Sequence, residues 1–221
     1  MQHFKCDSLI IGAGQAAPGL AVSLAKSGET VILVEALHLG GSCVNVGCTP
    51  TKTLRKSARV AHMARRGAEF GVLTGEVRVD FAKAMTRMHE RVQASRSGLE
   101  DWLASTPGVQ VIKGFAQLTD KTDSGFHAQL LQTPSGAPLQ ADTAPAIAQI
   151  QALKVYLNTG TRPFVPPIAG INLAQRDPRI LSNEELLQLR ECPQHLVILG
   201  ASYIGLEFAQ IMRRLGARGF R

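Results

Sequence analysis

A short apolar run that ends in a glycine turn constrains this chain more than any other feature. Residues 6–11, CDSLII, lead directly into GAGQAAPGLAVSLAKSG, a glycine turn followed by a helical stretch that stops at Gly28. Residues 30–35, TVILVE, form a second apolar run of strand length. Strand, turn, helix and strand in this order predict the beginning of a doubly wound parallel α/β sheet.

The glycine turn itself has the spacing of a dinucleotide-binding site. Gly12, Gly14 and Ala17 satisfy the pattern G-x-G-x-x-G/A between a strand and a helix. Gly12 permits the tight turn, Gly14 lets the backbone approach a pyrophosphate, and Ala17 allows close packing of the helix. Glu35, at the end of the second strand, is placed to accept hydrogen bonds from ribose hydroxyls. The whole arrangement predicts dinucleotide binding, with the phosphates at the helix N-terminus.

The same layout recurs near the C-terminus, which predicts two dinucleotide-binding modules. Residues 195–217, HLVILGASYIGLEFAQIMRRLGA, again read as strand, glycine turn and helix, and we expect this module to break off without its second strand.

In the first module, VQVIKG, FAQLTD and FHAQLLQT are expected to form a small antiparallel sheet, and KVYLNTG a buried strand. APAIAQIQAL fits either a helix or an extended hairpin. We expect one helix to begin at Thr49 and Pro50, a longer helix to begin after Asp80, and a third helix in SNEELLQL. The expected core positions of the longer helix are Phe81, Met85, Met88, Val92, Leu99 and Trp102.

Two of the four cysteines lie five positions apart in the stretch LGGSCVNVGCTPTKTL. A regular helix would separate Cys43 and Cys48 by about 7.5 Å along its axis, beyond the usual reach of a disulfide. Gly47 could distort the backbone enough to close a small loop. A zinc site would need further ligands at regular spacing, and only His38 and His62 are near. A redox disulfide beside the dinucleotide module is the interpretation that we favour over zinc or a structural bridge.

Composition excludes several other classes of protein. The net charge is +7, but aromatic residues make up only 5%, which disfavours a nucleic-acid-binding surface, and the basic clusters are expected to be solvated helix faces. No apolar run approaches the roughly 20 residues of a membrane-spanning helix, and the N-terminus lacks a signal-peptide layout. We therefore expect a cytoplasmic protein without a nucleic-acid or membrane partner.

The motif GGSCVNVGCTPTK resembles the redox-active motif of the class I pyridine nucleotide-disulfide oxidoreductases. The resemblance extends over nearly the whole chain, through the first glycine turn, NTGTRPFVPPIAG and LGASYIGLE. The family includes dihydrolipoamide dehydrogenase, glutathione reductase and mercuric reductase, and the chain is most similar in style to the mercuric reductase branch. The resemblance implies a Rossmann-like FAD-binding domain with a small antiparallel β insertion, followed by the start of a second Rossmann-like, NAD(P)-binding domain.

The resemblance also implies roles for individual residues. Cys48 matches the thiol that lies against the flavin, and Cys43 the thiol that meets the substrate. Lys52 matches the lysine near flavin N5, and Glu207 the glutamate that pairs with it; we expect this ion pair to be buried beside the flavin. The positions matching FAD contacts are Gly12, Gly14, Gln15, Ala16, Glu35, Ser42, Cys43, Lys52, Ala116, Thr159, Gly160 and Thr161. Those matching the nicotinamide turn are Gly200, Tyr203, Ile204 and Gly205, with Ser202 in place of the middle glycine.

The implied reaction is a relay from NAD(P)H through FAD to the Cys43–Cys48 disulfide and then to a small disulfide or metal-ion substrate. The expected domains are 1–165 for FAD and the disulfide, 166–193 as a linker, and 194–221 as the start of the NAD(P)-binding domain. The family's later segments are missing, so we expect an N-terminal fragment; the full-length family forms homodimers. The alternative is a catalytically incomplete flavin-binding or thiol-redox remnant.

Overall fold

A computed structural model describes residues 1–132, 144–171 and 177–220 of the chain. The last residue of the third predicted antiparallel run, residues 172–176 of the predicted linker, and the C-terminal residue lie outside the described residues. The fold is mixed α/β, as expected. It divides into two compact units: unit 1 comprises residues 1–45 and 94–162, and unit 2 comprises residues 46–93 and 163–221.

Unit 1 is built on a six-stranded sheet with the strand order β3-β2-β1-β6-β5-β4. The elements with residues in this unit are β1 (Gln2–Ile11), α1 (Ala16–Lys26), β2 (Val31–Glu35), α2 (Gly41–Asn45), the later part of α4 (Phe81–Ala104), β3 (Val109–Lys113), β4 (Phe115–Thr122), β5 (Gly125–Leu131) and β6 (Ala146–Leu157). Strands β3, β2, β1 and β6 are parallel, whereas β5 and β4 continue the sheet in antiparallel fashion from β6.

Strand β2 and the end of β1 are apolar at successive positions because both faces of the sheet are covered there. In β1, Leu9 and Ile11 belong to one buried cluster and Ile10 to another. The second cluster includes Ala17 and Ala21 of α1, whose small side chains let the helix lie close to the sheet. Two-sided burial explains why these strands appear in the sequence as continuous apolar runs without alternation.

Three expectations about unit 1 need correction. The run VQVIKG was expected among the antiparallel strands, but β3 pairs parallel with β2, Val31 opposite Val109. The undecided segment APAIAQIQAL and the predicted strand KVYLNTG form one long strand, β6, because its residues 148, 150 and 152 alternate inward onto a buried cluster. Trp102 was expected in the core, yet 44% of it is exposed, whereas Leu103 beside it is fully buried.

Unit 2 consists of helices around one apolar cluster and a two-stranded parallel sheet. Its elements are α3 (Cys48–Arg65), a 3₁₀ turn (Gly67–Phe70), the first part of α4, α5 (Asn183–Leu186), β7 (His195–Leu196), α6 (Tyr203–Leu215) and β8 (Gly219–Phe220). Two of the expected helices have side-chain caps: Lys83 N donates to Asp80 at 2.9 Å, and Ser182 and Glu185 form a reciprocal capping box at α5. The helix expected from Thr49 and Pro50 begins earlier, at Cys48, and its N-cap residue Gly47 makes no side-chain hydrogen bond. The second module was expected to lack its second strand, but β8 begins that strand and pairs parallel with β7.

Candidate functional site

The glycine turn after β1 lies where the carboxyl ends of β1, β2 and β6 meet. Gly12 has φ +93°, and a Cβ there would come within 2.3 Å of the Asn158 carbonyl oxygen. Gly12 N donates to Val34 O at 2.8 Å, and the Asn158 side-chain amide donates to Gly12 O at 3.3 Å. Only glycine fits both this conformation and this space. In open α/β sheets the crevice at this edge is where nucleotides bind.

The turn leads directly into α1, as a phosphate site requires. Gln15 is the N-cap residue and Ala16 the first residue of the helix. The first N–H groups of a helix have no intrahelical acceptor, and they present partial positive charge to an anion. A Cβ on Gly14 would lie 3.1 Å from the Asn158 side-chain nitrogen, so glycine leaves the backbone open at this point. The four residues predicted for this turn therefore lie together in an arrangement that fits a pyrophosphate: Gly12, Gly14, Gln15 and Ala16.

Glu35 is held against this turn by two backbone N–H groups. Ala13 N donates to Glu35 Oε2 and Leu37 N donates to Glu35 Oε1, both at 2.7 Å. An ionised carboxylate has about four lone-pair positions, so each oxygen keeps capacity for a ribose hydroxyl. Gly114 N donates to the Glu35 carbonyl at 2.9 Å, which holds the start of β4 beside Glu35. Ala116, two residues later, points its side chain into a buried apolar cluster, so only its backbone could meet a cofactor.

Sequence reasoning missed Asn158 at this turn. Its backbone N donates to Ile11 O at 2.8 Å, its side-chain amide donates to Gly12 O, and the same amide lies 3.1 Å from where a Cβ on Gly14 would be. The available signal was an asparagine placed immediately after a strand that ends beside the glycine turn. Thr159, Gly160 and Thr161 follow it in an exposed loop, with Gly160 at φ +73°.

The cysteine motif contains a short helix that the sequence did not predict. Cys43 lies inside α2, and Cys48 is the first residue of α3. Both cysteines are disulfide-bonded, whereas Cys6 and Cys192 are free, so the predicted Cys43–Cys48 pairing is confirmed. Burial raises the pKa of the Cys6 thiol to about 11 and also raises the pKa of Cys192. The two free thiols are thereby poor nucleophiles near neutral pH.

The loop before α2 is packed tightly on the glycine turn. Gly40 N donates to Ala13 O at 2.8 Å, and the Gln15 side-chain amide donates to Gly40 O at 3.3 Å. Gly41 has φ +58°, and a Cβ there would lie 2.7 Å from Gly14 Cα. Ser42 follows as an exposed residue of α2. Within unit 1, the segment that carries Cys43 is therefore in contact with the proposed phosphate-binding turn.

In unit 2, the predicted ion pair between α3 and α6 is present. Lys52 Nζ lies 2.7 Å from both carboxylate oxygens of Glu207. The burial expected for this pair is not observed, because the Lys52 side chain is 57% exposed and that of Glu207 22%. The two helices pack through deeper residues such as Leu54 and Phe208, which leaves the pair at the edge of the contact.

The second glycine turn has the same construction as the first. Gly200 has φ +100°, and a Cβ on Gly205 would come within 2.6 Å of Gly200 O, so α6 packs closely on its turn. Ser202 is the N-cap residue of α6, in extended conformation. Tyr203 and Ile204 follow at the helix start, and Tyr203 is 80% exposed. Gly200, Tyr203, Ile204 and Gly205 thus lie together, as the pattern predicts.

The described residues offer neither a metal-ion cluster nor a membrane-spanning helix. Within the ranges 1–132, 144–171 and 177–220, no group of three or more His, Cys, Asp or Glu side chains could hold a metal ion. Among the helices of those same ranges, none combines the length and the apolar character needed to cross a membrane.

Glycine turns at the carboxyl edge of a parallel sheet, with a disulfide in the adjoining segment, define a dinucleotide-binding protein of redox type. A family model described as pyridine nucleotide-disulphide oxidoreductase matches residues 6–219. The chain belongs to this family, whose members depend on FAD and take electrons from NAD(P)H.

Individual relatives agree with this assignment. The chain is 35% identical over 97% of its length to the probable pyridine nucleotide-disulfide oxidoreductase RclA of Escherichia coli. It is 31% identical to a dihydrolipoyl dehydrogenase of Acholeplasma laidlawii over 96% of the chain, and 31% identical to a mercuric reductase of Streptomyces lividans over 98%. A solved structure of the HOCl-induced flavoprotein disulfide reductase RclA superposes on 96% of the chain with a TM-score of 0.74 and 33% identity. The chain spans 41% of that solved chain, and 41%, 57% and 42% of the three curated relatives.

Proposed function

We propose that this chain is the FAD-binding and redox-disulfide portion of an oxidoreductase that passes electrons between NAD(P)H, FAD and the Cys43–Cys48 disulfide to a disulfide or metal-ion substrate. One observation carries the proposal. Gly41, two residues before Cys43, lies so close to Gly14 that a Cβ would come within 2.7 Å of the Gly14 Cα. The disulfide segment and the phosphate-binding turn therefore belong to one packed arrangement.

The residues of unit 1 fit FAD at its phosphate and ribose groups. The first turn of α1, with Gly12, Gly14, Gln15 and Ala16, would hold the pyrophosphate, and Glu35 would accept hydrogen bonds from the ribose. When bound, FAD supplies the conversion between hydride transfer and electron-pair transfer to sulfur. Ser42, Ala116 and residues 159–161 complete the proposed FAD contacts.

The two cysteines are proposed to act in sequence. Reduction of their disulfide takes up two electrons and two protons and gives two thiols. The Cys43 thiolate would then attack a substrate disulfide, releasing one substrate thiol and forming a mixed disulfide; attack by Cys48 on the Cys43 sulfur would release the second thiol and restore the Cys43–Cys48 bond. With a metal-ion substrate, the two thiolates would act as soft ligands. Lys52, paired with Glu207, would be the cation beside the flavin.

Residues of the second glycine turn are proposed for the nicotinamide cofactor. Gly200, Tyr203, Ile204 and Gly205 would bind NAD(P)H, and the Tyr203 ring would gate its access to the flavin. The proposed domains are 1–165 for FAD and disulfide, 166–193 as linker and 194–221 for the start of the NAD(P)-binding domain. A homodimer and a cytoplasmic location are proposed for the longer protein by likeness to its family.

The relatives support two substrate classes. The mercuric reductase by its name, and the RclA structures described as Cu(II) complexes, support a thiol-binding metal ion. The dihydrolipoyl dehydrogenases support a small disulfide or dithiol. We favour the metal ion, because the sequence resembles the mercuric reductase branch of the family.

Absorption spectra of the purified chain test the proposal. The chain, supplied with FAD and freed of unbound cofactor, is expected to show the visible bands of oxidised flavin and to lose them on anaerobic addition of NADH or NADPH. Addition of Hg²⁺, Cu²⁺ or a small disulfide should then restore them, and the ion or compound that does so identifies the substrate class. A chain that binds FAD but is not reduced would be the alternative, a catalytically incomplete remnant. A chain without flavin bands would contradict FAD binding.

A further inference from the structure

The amide of Asn45 holds together the backbone that leads into the helix of Cys43. Asn45 is the last residue of α2, two positions after Cys43. Its Nδ2 donates to Gly41 O at 2.8 Å and to Leu39 O at 3.1 Å, and His38 O lies at 3.5 Å. The side chain therefore binds the carbonyl of the second glycine, Gly41, and the carbonyls that precede the Gly40–Gly41 pair.

Those two glycines are a point of weakness in the segment. Gly40 and Gly41 both have positive φ, at 93° and 58°, and glycine loses more conformational freedom on ordering than any other residue. Gly40 is held to the first glycine turn, because its N donates to Ala13 O and its carbonyl accepts from the Gln15 amide. Asn45 restricts the rest of the segment, because its amide binds the carbonyls of Leu39 and Gly41.

Arg96 fixes the orientation of that amide. Its Nε donates to Asn45 Oδ1, from the part of α4 that lies in unit 1. Since Nδ2 faces three carbonyls and Oδ1 faces a guanidinium, only one orientation of the amide satisfies both sets of partners. Both residues are half-buried, where an unmet hydrogen-bonding group is costly. Sequence reasoning missed this contact because 51 positions separate the two residues.

We propose that Asn45, oriented by Arg96, is a positioning residue for the Cys43 thiol: it holds Leu39–Gly41 so that Cys43 is already placed for bond formation with Cys48. The inference rests on the proposed function in one respect, that this disulfide opens and closes in use. In the reference reaction two glutathione molecules reduce the Cys43–Cys48 bond to two thiols and become one glutathione disulfide, so two electrons and two protons are exchanged. A pre-placed Cys43 favours the closed disulfide in this equilibrium.

The equilibrium in glutathione buffers tests the proposal on the full chain, without FAD or NAD(P)H. Asn45→Ala is expected to lower the equilibrium constant for disulfide formation at least tenfold, which is about 30 mV for a two-electron couple. Arg96→Ala should lower it less, about threefold, and should have no added effect when Asn45 is already alanine. Asn183→Ala is the matched control, because that asparagine also has its amide near a backbone carbonyl of the cysteine motif, Val46 O at 3.5 Å; it should leave the constant within twofold of the parent.

Thermal unfolding of each variant separates positioning from general stability. A purely structural role would lower the midpoint of unfolding and leave the disulfide equilibrium unchanged. An equilibrium constant for Asn45→Ala within twofold of the parent would overturn the proposal, as would independent, additive effects of Asn45→Ala and Arg96→Ala. If Asn45→Ala does not fold, Arg96→Lys tests the proposal instead. This substitution keeps the positive charge and removes the Nε donor, and it should lower the equilibrium constant for disulfide formation about threefold. Because the measurement needs no cofactor, absence of FAD binding would contradict the proposed function and leave this result standing.

Discussion

At the scale of single residues, Glu35 combines a role that the sequence predicts, binding a ribose, with a second role that only the structure shows, stabilising the glycine turn. Its position at the end of β2 predicts a ribose ligand, and the structure adds that its carboxylate accepts hydrogen bonds from Ala13 N and Leu37 N. The same side chain therefore stabilises the turn and completes the proposed FAD site. A substitution at Glu35 should affect both cofactor affinity and the turn.

Glu35→Ala is expected to weaken FAD binding by about 1.5–3 kcal/mol, because a buried ribose hydroxyl loses a charged acceptor. That loss is roughly a 10- to 150-fold increase in Kd. Fluorescence titration with FAD measures it, and Glu100→Ala, an exposed acid of the same unit, is the control. Equal FAD affinity in Glu35→Ala and the parent would show that Glu35 is not the ribose ligand.

The exposure of the Lys52–Glu207 ion pair lowers the contribution to folding stability that we expect from it. A buried pair would lose about 3–5 kcal/mol when one partner is removed, but exposed pairs contribute about 1 kcal/mol or less. With the Lys52 side chain 57% exposed, Glu207→Gln should lower the free energy of unfolding by less than about 1 kcal/mol. Urea unfolding of Glu207→Gln, with Glu184→Gln as an exposed control, measures the effect. A loss of 3 kcal/mol or more would mean that the pair is desolvated in solution.

At the scale of elements, the sequence was sufficient wherever local pattern and burial coincide. The turns at Gly12 and Gly200 could be placed because glycine spacing follows directly from backbone geometry. The pairing of β3 and the exposure of Trp102 could not, since both depend on which distant segment covers them. Asn158 reaches Gly12 across 146 positions, and no periodicity signals such a contact. Strand existence was thus predictable, and strand partners were less so.

The polar contacts around the start of β2 predict how stability changes with pH. Asp7 accepts hydrogen bonds from Thr30 N and Oγ1 at 2.7 Å, and Glu29 accepts from Ser8 Oγ at 2.5 Å and Lys154 Nζ at 2.7 Å. These hydrogen bonds, from Thr30 to Asp7 and mainly from Lys154 to Glu29, lower the pKa of both carboxyls. The charged forms are therefore favoured in the folded chain.

For a carboxyl whose pKa is lower in the folded state, the contribution to stability is present above the unfolded pKa of about 4 and is lost as pH falls through the folded value. We therefore expect the free energy of unfolding to decrease on acidification below about pH 4. The difference between the parent and Asp7→Asn should shrink over the same range. Urea unfolding at a series of pH values measures both, with Asp101→Asn, an exposed acid, as control. A constant difference down to low pH would contradict the role of Asp7.

At the scale of the whole molecule, the repeat of strand, glycine turn and helix is what made the class of protein recognisable from sequence. The cysteine motif then restricted the class to a family, and the family model over residues 6–219 agrees. What the sequence could not give is the set of contacts that hold the motif in place, such as Asn45 with Arg96. Those contacts join residues that are remote in the chain, and they exist only once the units have folded.

The central claim is that electrons from a nicotinamide cofactor reach the Cys43–Cys48 disulfide through FAD. The most direct measurement treats the FAD-loaded chain anaerobically with NADH or NADPH, alkylates it, and maps the labelled cysteines under denaturing conditions by mass spectrometry. We predict two new labelled positions, Cys43 and Cys48, only when FAD and the nicotinamide cofactor are both present, with labelling of Cys6 and Cys192 unchanged. Reduction of the flavin with Cys43 and Cys48 still joined, or labelling that does not require FAD, would contradict it.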